Sequence, residues 1–205
     1  MYQPSHFKEE NADTLARCIH DHPFATLVVT GADGPVANHL PMLLDTEANK
    51  LVGHVARANP LWRDYAAGTP ALAIFSGPQA YVSPSWYASK RETGKVVPTW
   101  NYVAIHAYGP LELIDDPAHA REHIAQLTER HERGQPVPWA TGDAPEDFIA
   151  TLVRAIIGFR LPIKRLEGKW KLGQNRSLPD RIGVASGLAE AGRPDMAALA
   201  PAFAE

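Results

Sequence analysis

The segment Tyr102–Tyr108 alternates without a break: Tyr102, Ala104, His106 and Tyr108 fall on one side, Val103, Ile105 and Ala107 on the other. A period of two is the signature of a half-buried strand. Strands are also expected over Phe24–Thr30, which is rich in β-branched residues, and over Val36–Leu44, Lys50–Ala56, Ala71–Phe75 and Gln79–Val82. The alternating strand continues over Tyr102–Ile114, with an interruption at Gly109–Pro110, and the last strand is Ile156–Leu166. Asp33–Gly34 signals a hairpin turn between the first two. Helical spacing covers Ala12–Asp21, and Asn59–Pro60 opens a short helix holding Leu61, Trp62 and Tyr65 that Gly68 closes. Asp116–Pro117 starts a helix to about Arg133, Ala144–Val153 forms one capped by Asp143, and the alanine-rich end from Ser186 is helical or frayed. Strands outnumber helices and several are sequential pairs, so the fold class expected is α+β, built around a barrel of mainly antiparallel strands with flanking helices.

Size and composition narrow this further. A chain of 205 residues suits one domain, 1–205, large enough to bury a real core. The 45% hydrophobic and 21% charged fractions are those of an ordinary soluble protein, and no run of about 18 apolar residues suggests a membrane span. Lys8–Glu9–Glu10 stands where a signal peptide would need an apolar stretch, so a cytoplasmic location is expected. Cys18 is the sole cysteine, which excludes an intrachain disulfide and a cysteine-based zinc site; beside Leu15 and Ile19 it reads as a small buried hydrophobe.

The net charge of −3 provides no global attraction to nucleic acid. Its distribution is uneven: Arg160, Lys164, Arg165, Lys169, Lys171, Arg176 and Arg181 face only Glu167 and Asp180 in the same stretch. That cluster suits a small phosphate ligand or a local nucleic-acid contact, and equally a strand edge protected by lysines. In His54–Val55–Ala56–Arg57–Ala58–Asn59–Pro60 a strand ends, an arginine fork follows and a helix begins, an arrangement that favours a phosphate. The plain alternative is a surface arginine beside a capping asparagine. Ser83–Thr99 is a long loop carrying Trp86, Tyr87, Lys90, Arg91 and Lys95, a candidate for ligand or partner contact. His119–Ala120–Arg121–Glu122–His123 matches the H-x-x-E-H zinc pattern, but placed opposite Ala120, Ile124 and Leu127 the two histidines read as a hydrated face. No G-x-S-x-G elbow, Walker loop or G-x-G-x-x-G fingerprint is present.

Several blocks taken in order carry a resemblance. They are Met1–Tyr2–Gln3–Pro4–Ser5–His6–Phe7, His39–Leu40–Pro41, Gly53–His54–Val55–Ala56–Arg57–Ala58–Asn59–Pro60, Tyr81–Val82–Ser83–Pro84–Ser85–Trp86–Tyr87, Val97–Pro98–Thr99–Trp100–Asn101–Tyr102 and Gly168–Lys169–Trp170–Lys171–Leu172–Gly173–Gln174–Asn175–Arg176. Over roughly residues 1–185 the chain resembles the PaiB family of FMN-binding negative transcriptional regulators, with Gly173 where a serine is expected. The resemblance implies a split-barrel FMN-binding fold, related to pyridoxamine phosphate oxidases, and a homodimer with FMN at the subunit interface. It implies cofactor contacts from His39 and Leu40 through the strand edge, and from His54, Arg57 and Asn59 around the phosphate. Trp100, Asn101 and Tyr102 would meet the flavin or the substrate side, and Lys171, Gln174, Asn175 and Arg176 would arrive from the second subunit. A structural turn accounts for Gly173–Gln174–Asn175 equally well.

Three functions remain open at this point: a PaiB-type regulator, an FMN-dependent oxidoreductase or flavin reductase, and an interaction module that holds no flavin. No helix-turn-helix with a basic recognition helix is apparent. On the helix over 117–133, Arg121, Arg130 and Arg133 are offset by Glu122, Glu129 and Glu132, which gives direct DNA binding little support.

Overall fold

A computed structural model describes residues 1–31 and 34–200. In chain order its regular elements are β1 (Lys8–Glu9), α1 (Ala12–Asp21), β2 (Phe24–Gly31), β3 (Gly34–Pro41), β4 (Leu43–Asp45), β5 (Lys50–Ala56) and α2 (Leu61–Asp64). There follow β6 (Thr69–Val82), α3 (Ser89–Thr93), β7 (Thr99–Ile114), α4 (Pro117–Glu132), α5 (Glu146–Arg154), β8 (Ile156–Pro162), β9 (Arg165–Lys171), α6 (Leu178–Glu190) and α7 (Pro194–Leu199). The fold is α+β, and the strand pairs whose register is resolved are all antiparallel.

The chain groups into two compact units: Met1–Cys18, Ser76–His106 and Glu167–Glu205 form one, Ile19–Phe75 and Ala107–Leu166 the other. In the second unit β2 pairs β3 from Phe24↔Pro41 to Gly31↔Gly34, and pairs β6 from Thr26↔Ile74 to Val29↔Ala71. There β5 pairs β4 and β8, and β8 pairs the end of β7. Its core is the inward set Leu27, Leu51, Phe75, Ile157, Phe159 and Leu161, all below 2% exposed. Each such side chain contributes roughly 1.5–3 kcal/mol by leaving water. Gly53 is a glycine because the Phe159 ring and a Leu40 methyl occupy the place of its Cβ. In the first unit β1 pairs β9 (Lys8↔Lys169), β9 pairs β7, and Trp86 lies against Gly183 and Gly187 of α6.

The alternation over Tyr102–Tyr108 holds: Val103, Ile105 and Ala107 are buried and the other side is half-buried. Helix α1 and strand β5 have the expected bounds. Six expectations change. The strand expected over Val36–Leu44 ends at Pro41, because Met42 is buried and its N–H turns to the Pro23 carbonyl. Ala71–Phe75 and Gln79–Val82 are one strand, since Gly77 leaves the room that Val103 fills. Gly109–Pro110 does not interrupt β7; Gly109 lets the Pro162 carbonyl approach. Ile156–Leu166 divides into β8 and β9, with the Ile163 N–H bonded to Asn49 and that of Lys164 to Tyr108. Asp143 does not cap α5; its carboxylate accepts from the Ala140 N–H, and α5 starts after Pro145. Helix expected only from Ser186 begins at Leu178, with Ser177 as cap. Gly34 opens β3, and Asp33 of the expected turn lies outside the described residues.

Candidate functional site

The strand-to-helix motif in the second unit differs from its expected role. Arg57 Nη1 and Nη2 donate to the two Asp115 carboxylate oxygens at 3.0 and 2.6 Å. Its Nε donates to the Arg154 carbonyl at 2.7 Å, and Nη2 reaches Ile156 O at 3.3 Å. Asp115 holds the guanidinium above its ordinary range, and Arg57 holds the Asp115 carboxyl below the usual one. The fork that was to receive a phosphate is thus directed at protein oxygens. The helix beyond it, α2, is a single turn of four residues that ends at Asp64, not Gly68, too short for a useful dipole.

Asn59 behaves as the cap: its Oδ1 accepts the Leu61 N–H at 2.9 Å. Its Nδ2 donates to Asn38 Oδ1 at 2.7 Å, whereas Asn38 Nδ2 is buried without a partner. Asn38 was not singled out from sequence, because nothing local shows that its amide would be covered on one side only. It lies on β3 beside His39 and Leu40, and β3 ends the strand order with β2 as its neighbour. Leu40 is buried in the core, so only its backbone is available to a ligand. His39 is exposed on the other face, Nδ1 3.0 Å from Thr26 Oγ1.

His54 points toward α4, where its Nδ1 lies 3.1 Å from His123 Nε2. The expected hydrated face of α4 is therefore corrected: His123 is 2% exposed, because its side of the helix packs on β5 and β8. Among the described residues no group of three or more His, Cys, Asp or Glu is arranged to hold a metal.

In the first unit Lys171, expected from the second subunit, lies against Thr99 and Trp100 of its own chain. Lys169 is buried, its ammonium 5.4 Å from the centre of the Tyr2 ring and 5.3 Å from that of Tyr102, and it donates to Tyr2 O at 3.0 Å. Lys171 Nζ donates to Thr99 Oγ1 and Trp100 O, both at 2.6 Å. Burial, with Lys169 and Arg176 nearby, pulls Lys171 below the ordinary lysine range. Arg176 stacks over Tyr87 with its guanidinium carbon 4.9 Å from the ring centre. Asp180 is committed to the N–H and hydroxyl of Ser89, both at 2.9 Å. The two lysines thus have neutral oxygens as partners and cations as neighbours, an arrangement that an added anion would stabilise.

Trp100 is half exposed, its Nε1 donating to Gln79 Oε1 at 2.7 Å and its ring edge-on to Tyr81. Asn101 is buried and Asn175 exposed. Gln174 is occupied locally, accepting the Leu172 N–H and donating to Trp170 O, while Gly173 has φ +87°. The structural-turn alternative accounts for that amide. A phosphate monoester with a planar ring fits this unit: two lysines without a carboxylate partner among the described residues, an arginine near Asp180, and an exposed indole face.

The profile of the family described as "Putative FMN-binding domain" matches residues 1–165. Protease synthase and sporulation protein PAI 2 of Bacillus subtilis is 31% identical over 202 residues, covering 98% of this chain and 95% of that protein. An uncharacterized protein of Aspergillus fumigatus is 31% identical over 94% of this chain and 92% of its own length. Among solved structures, the FAD and heme binding protein of Mycobacterium smegmatis superposes with TM-score 0.60 at 19% identity, covering 81% of this chain and 74% of that one. The flavocytochrome Anf3 of Azotobacter vinelandii gives 0.58 at 14% identity over 80% and 69%. These likenesses carry the fold, a flavin-binding split barrel. With its sequence blocks in order and its relative matched from end to end, this chain belongs to the FMN-binding domain family that includes PaiB, and FMN is its cofactor.

Proposed function

We propose that the chain is a homodimeric FMN-dependent regulator of the PaiB type, with Lys171 and Arg176 as its anchor for the FMN phosphate. The observation that carries this is the pair Lys169 and Lys171, which have cations for neighbours and no carboxylate partner among the described residues. A dianionic phosphate offsets that repulsion, and the arginine fork adds charge-assisted hydrogen bonds. When bound, the isoalloxazine supplies one- and two-electron redox chemistry. Trp100 offers a ring face for stacking, held in orientation by Gln79.

The regulatory part draws on the Bacillus subtilis relative, whose name ties it to protease synthesis and sporulation. It operates through the flavin rather than through a DNA-reading helix. Arg121 is paired with Glu146 at 2.5 Å and Arg133 with Glu129 at 3.1 Å, so α4 presents little net positive charge. The dimer draws on an outward face of β2 and β6 where Phe24 is 66% exposed and Val28, Leu72 and Ile74 are half-buried. The second reading, an FMN-dependent oxidoreductase or flavin reductase, is favoured by the exposure of Trp100 and Tyr81, which leaves room for a substrate ring.

Titration of cofactor-stripped protein with FMN, followed by flavin fluorescence, tests the anchor. Lys171→Ala and Arg176→Ala are expected to weaken binding by about tenfold or more each. Wild-type affinity in both variants would remove the anchor. FMN-dependent NAD(P)H oxidation then favours the enzyme, and flavin-dependent change in promoter occupancy favours the regulator.

A further inference from the structure

A cleft of about 620 Å³ runs between α4 and the outer face of β4 and β5 in the second unit. Its floor is Leu43, Leu44 and Val52, and its wall is the polar side of α4. His119 and His123 line it, and His54 of β5 meets the His123 ring. His123 is 98% removed from solvent by the 2% exposure already noted, its Nε2 3.1 Å from His54 Nδ1 and its Nδ1 without a partner. His119 Nε2 is also buried without a partner, and its ring packs against Gly158 of β8, the strand residue opposite His54.

An N–H···N bond between imidazoles needs one lone pair, so both rings cannot be cationic while it persists. A second proton would place two like charges at 3.1 Å, one of them on a ring that is almost fully buried. Carboxylates that could compensate have other partners. On α4, Glu122 accepts from Gln126 and Glu129 pairs with Arg133. On β4, Asp45 pairs with Lys50 of β5, and on β7, Glu112 pairs with Arg160 of β8. At the end of α1, His20 lends its carbonyl to Arg130 of α4. The α5 side is apolar, with Ile149 and Val153 against Ala120.

We propose that the His54–His123 contact, with His119 packed beside it, is an acid-sensitive latch that holds α4 on β5 and β8 while the His54 and His123 rings are neutral and releases the helix when they take up protons. Burial, then the charges of His54 and His119, pushes His123 down to about 4, and burial lowers His54 as well. For a base whose folded pKa is lowered, the unfolded or detached form binds more protons. The docking free energy is therefore intact above about pH 6.5, and the part due to His123 is lost progressively as pH falls toward about 4.

Hydrogen exchange of α4 amides, referred to those of β2 and corrected for intrinsic rates, measures the latch. Between pH 7 and pH 4.5 the wild-type helix is expected to lose protection on the order of 100-fold relative to β2. His123→Phe is expected to abolish that pH dependence, and His54→Gln, which keeps a hydrogen-bonding group on β5, to diminish it. Imidazole NMR follows the rings directly, with His123 staying neutral until the pH nears about 4. Equal protection at both pH values, His123 titrating near an ordinary histidine value, or the same acid loss in either variant would overturn the proposal.

Discussion

Arg57 and Lys171 carry the same charge and differ in what surrounds it. Arg57 meets a carboxylate and two carbonyls, whereas Lys171 meets two neutral oxygens and two further cations. Arg57→Ala is accordingly expected to lower the urea midpoint of unfolding while leaving FMN affinity unchanged; weaker FMN binding at constant stability would return Arg57 to the cofactor site. Lys171 must stay protonated to hold a phosphate, and its pKa lies below the ordinary lysine range. FMN affinity is therefore expected to fall, as pH rises, before an ordinary lysine would deprotonate. Lys171→Arg should remove that alkaline loss, as fluorescence titration across pH would record. From sequence the two cations were equivalent members of cofactor motifs. Their difference lies in partners 58 and 72 positions away.

At the scale of elements, period-two alternation placed β5 and most of β7, and helical spacing placed α1 and α4, because a half-buried strand or helix imprints its face on its own residues. Ends and breaks were less legible. Gly77–Pro78 and Gly109–Pro110 look like interruptions, yet both strands continue through them. Each glycine there answers a neighbour, Val103 or Pro162, that local pattern does not reveal. The same logic applies to α6, where the Trp86 ring occupies the space of a Gly187 side chain. Gly187→Ala is expected to destabilise the fold by about 1–3 kcal/mol through overpacking. Chemical denaturation measures this, and unchanged stability would mean that the contact is loose.

For the whole molecule, the outward face formed by Phe24, Val28, Leu72 and Ile74 is too apolar for a surface meant only for water. Ile74→Glu is expected to convert the proposed dimer to monomer in sedimentation velocity at micromolar concentration. A monomeric wild type would remove the basis for the proposed dimer. The net charge of −3 and the paired arginines of α4 agree in giving nucleic acid little to hold.

By itself the sequence determined the α+β class, the places of most strands and helices and, through motif blocks that resemble a known family, membership of the FMN-binding family. The class is written in residue spacing, which each segment carries with it, and the family in the likeness of its motif blocks to known ones. Only the tertiary structure decided which charges are available. It set Arg57 against Asp115, left Lys169 and Lys171 beside cations, and turned His123 inward to His54. The physical reason is that burial and electrostatic partnership belong to neighbours in space, and here those neighbours stand tens of residues apart along the chain.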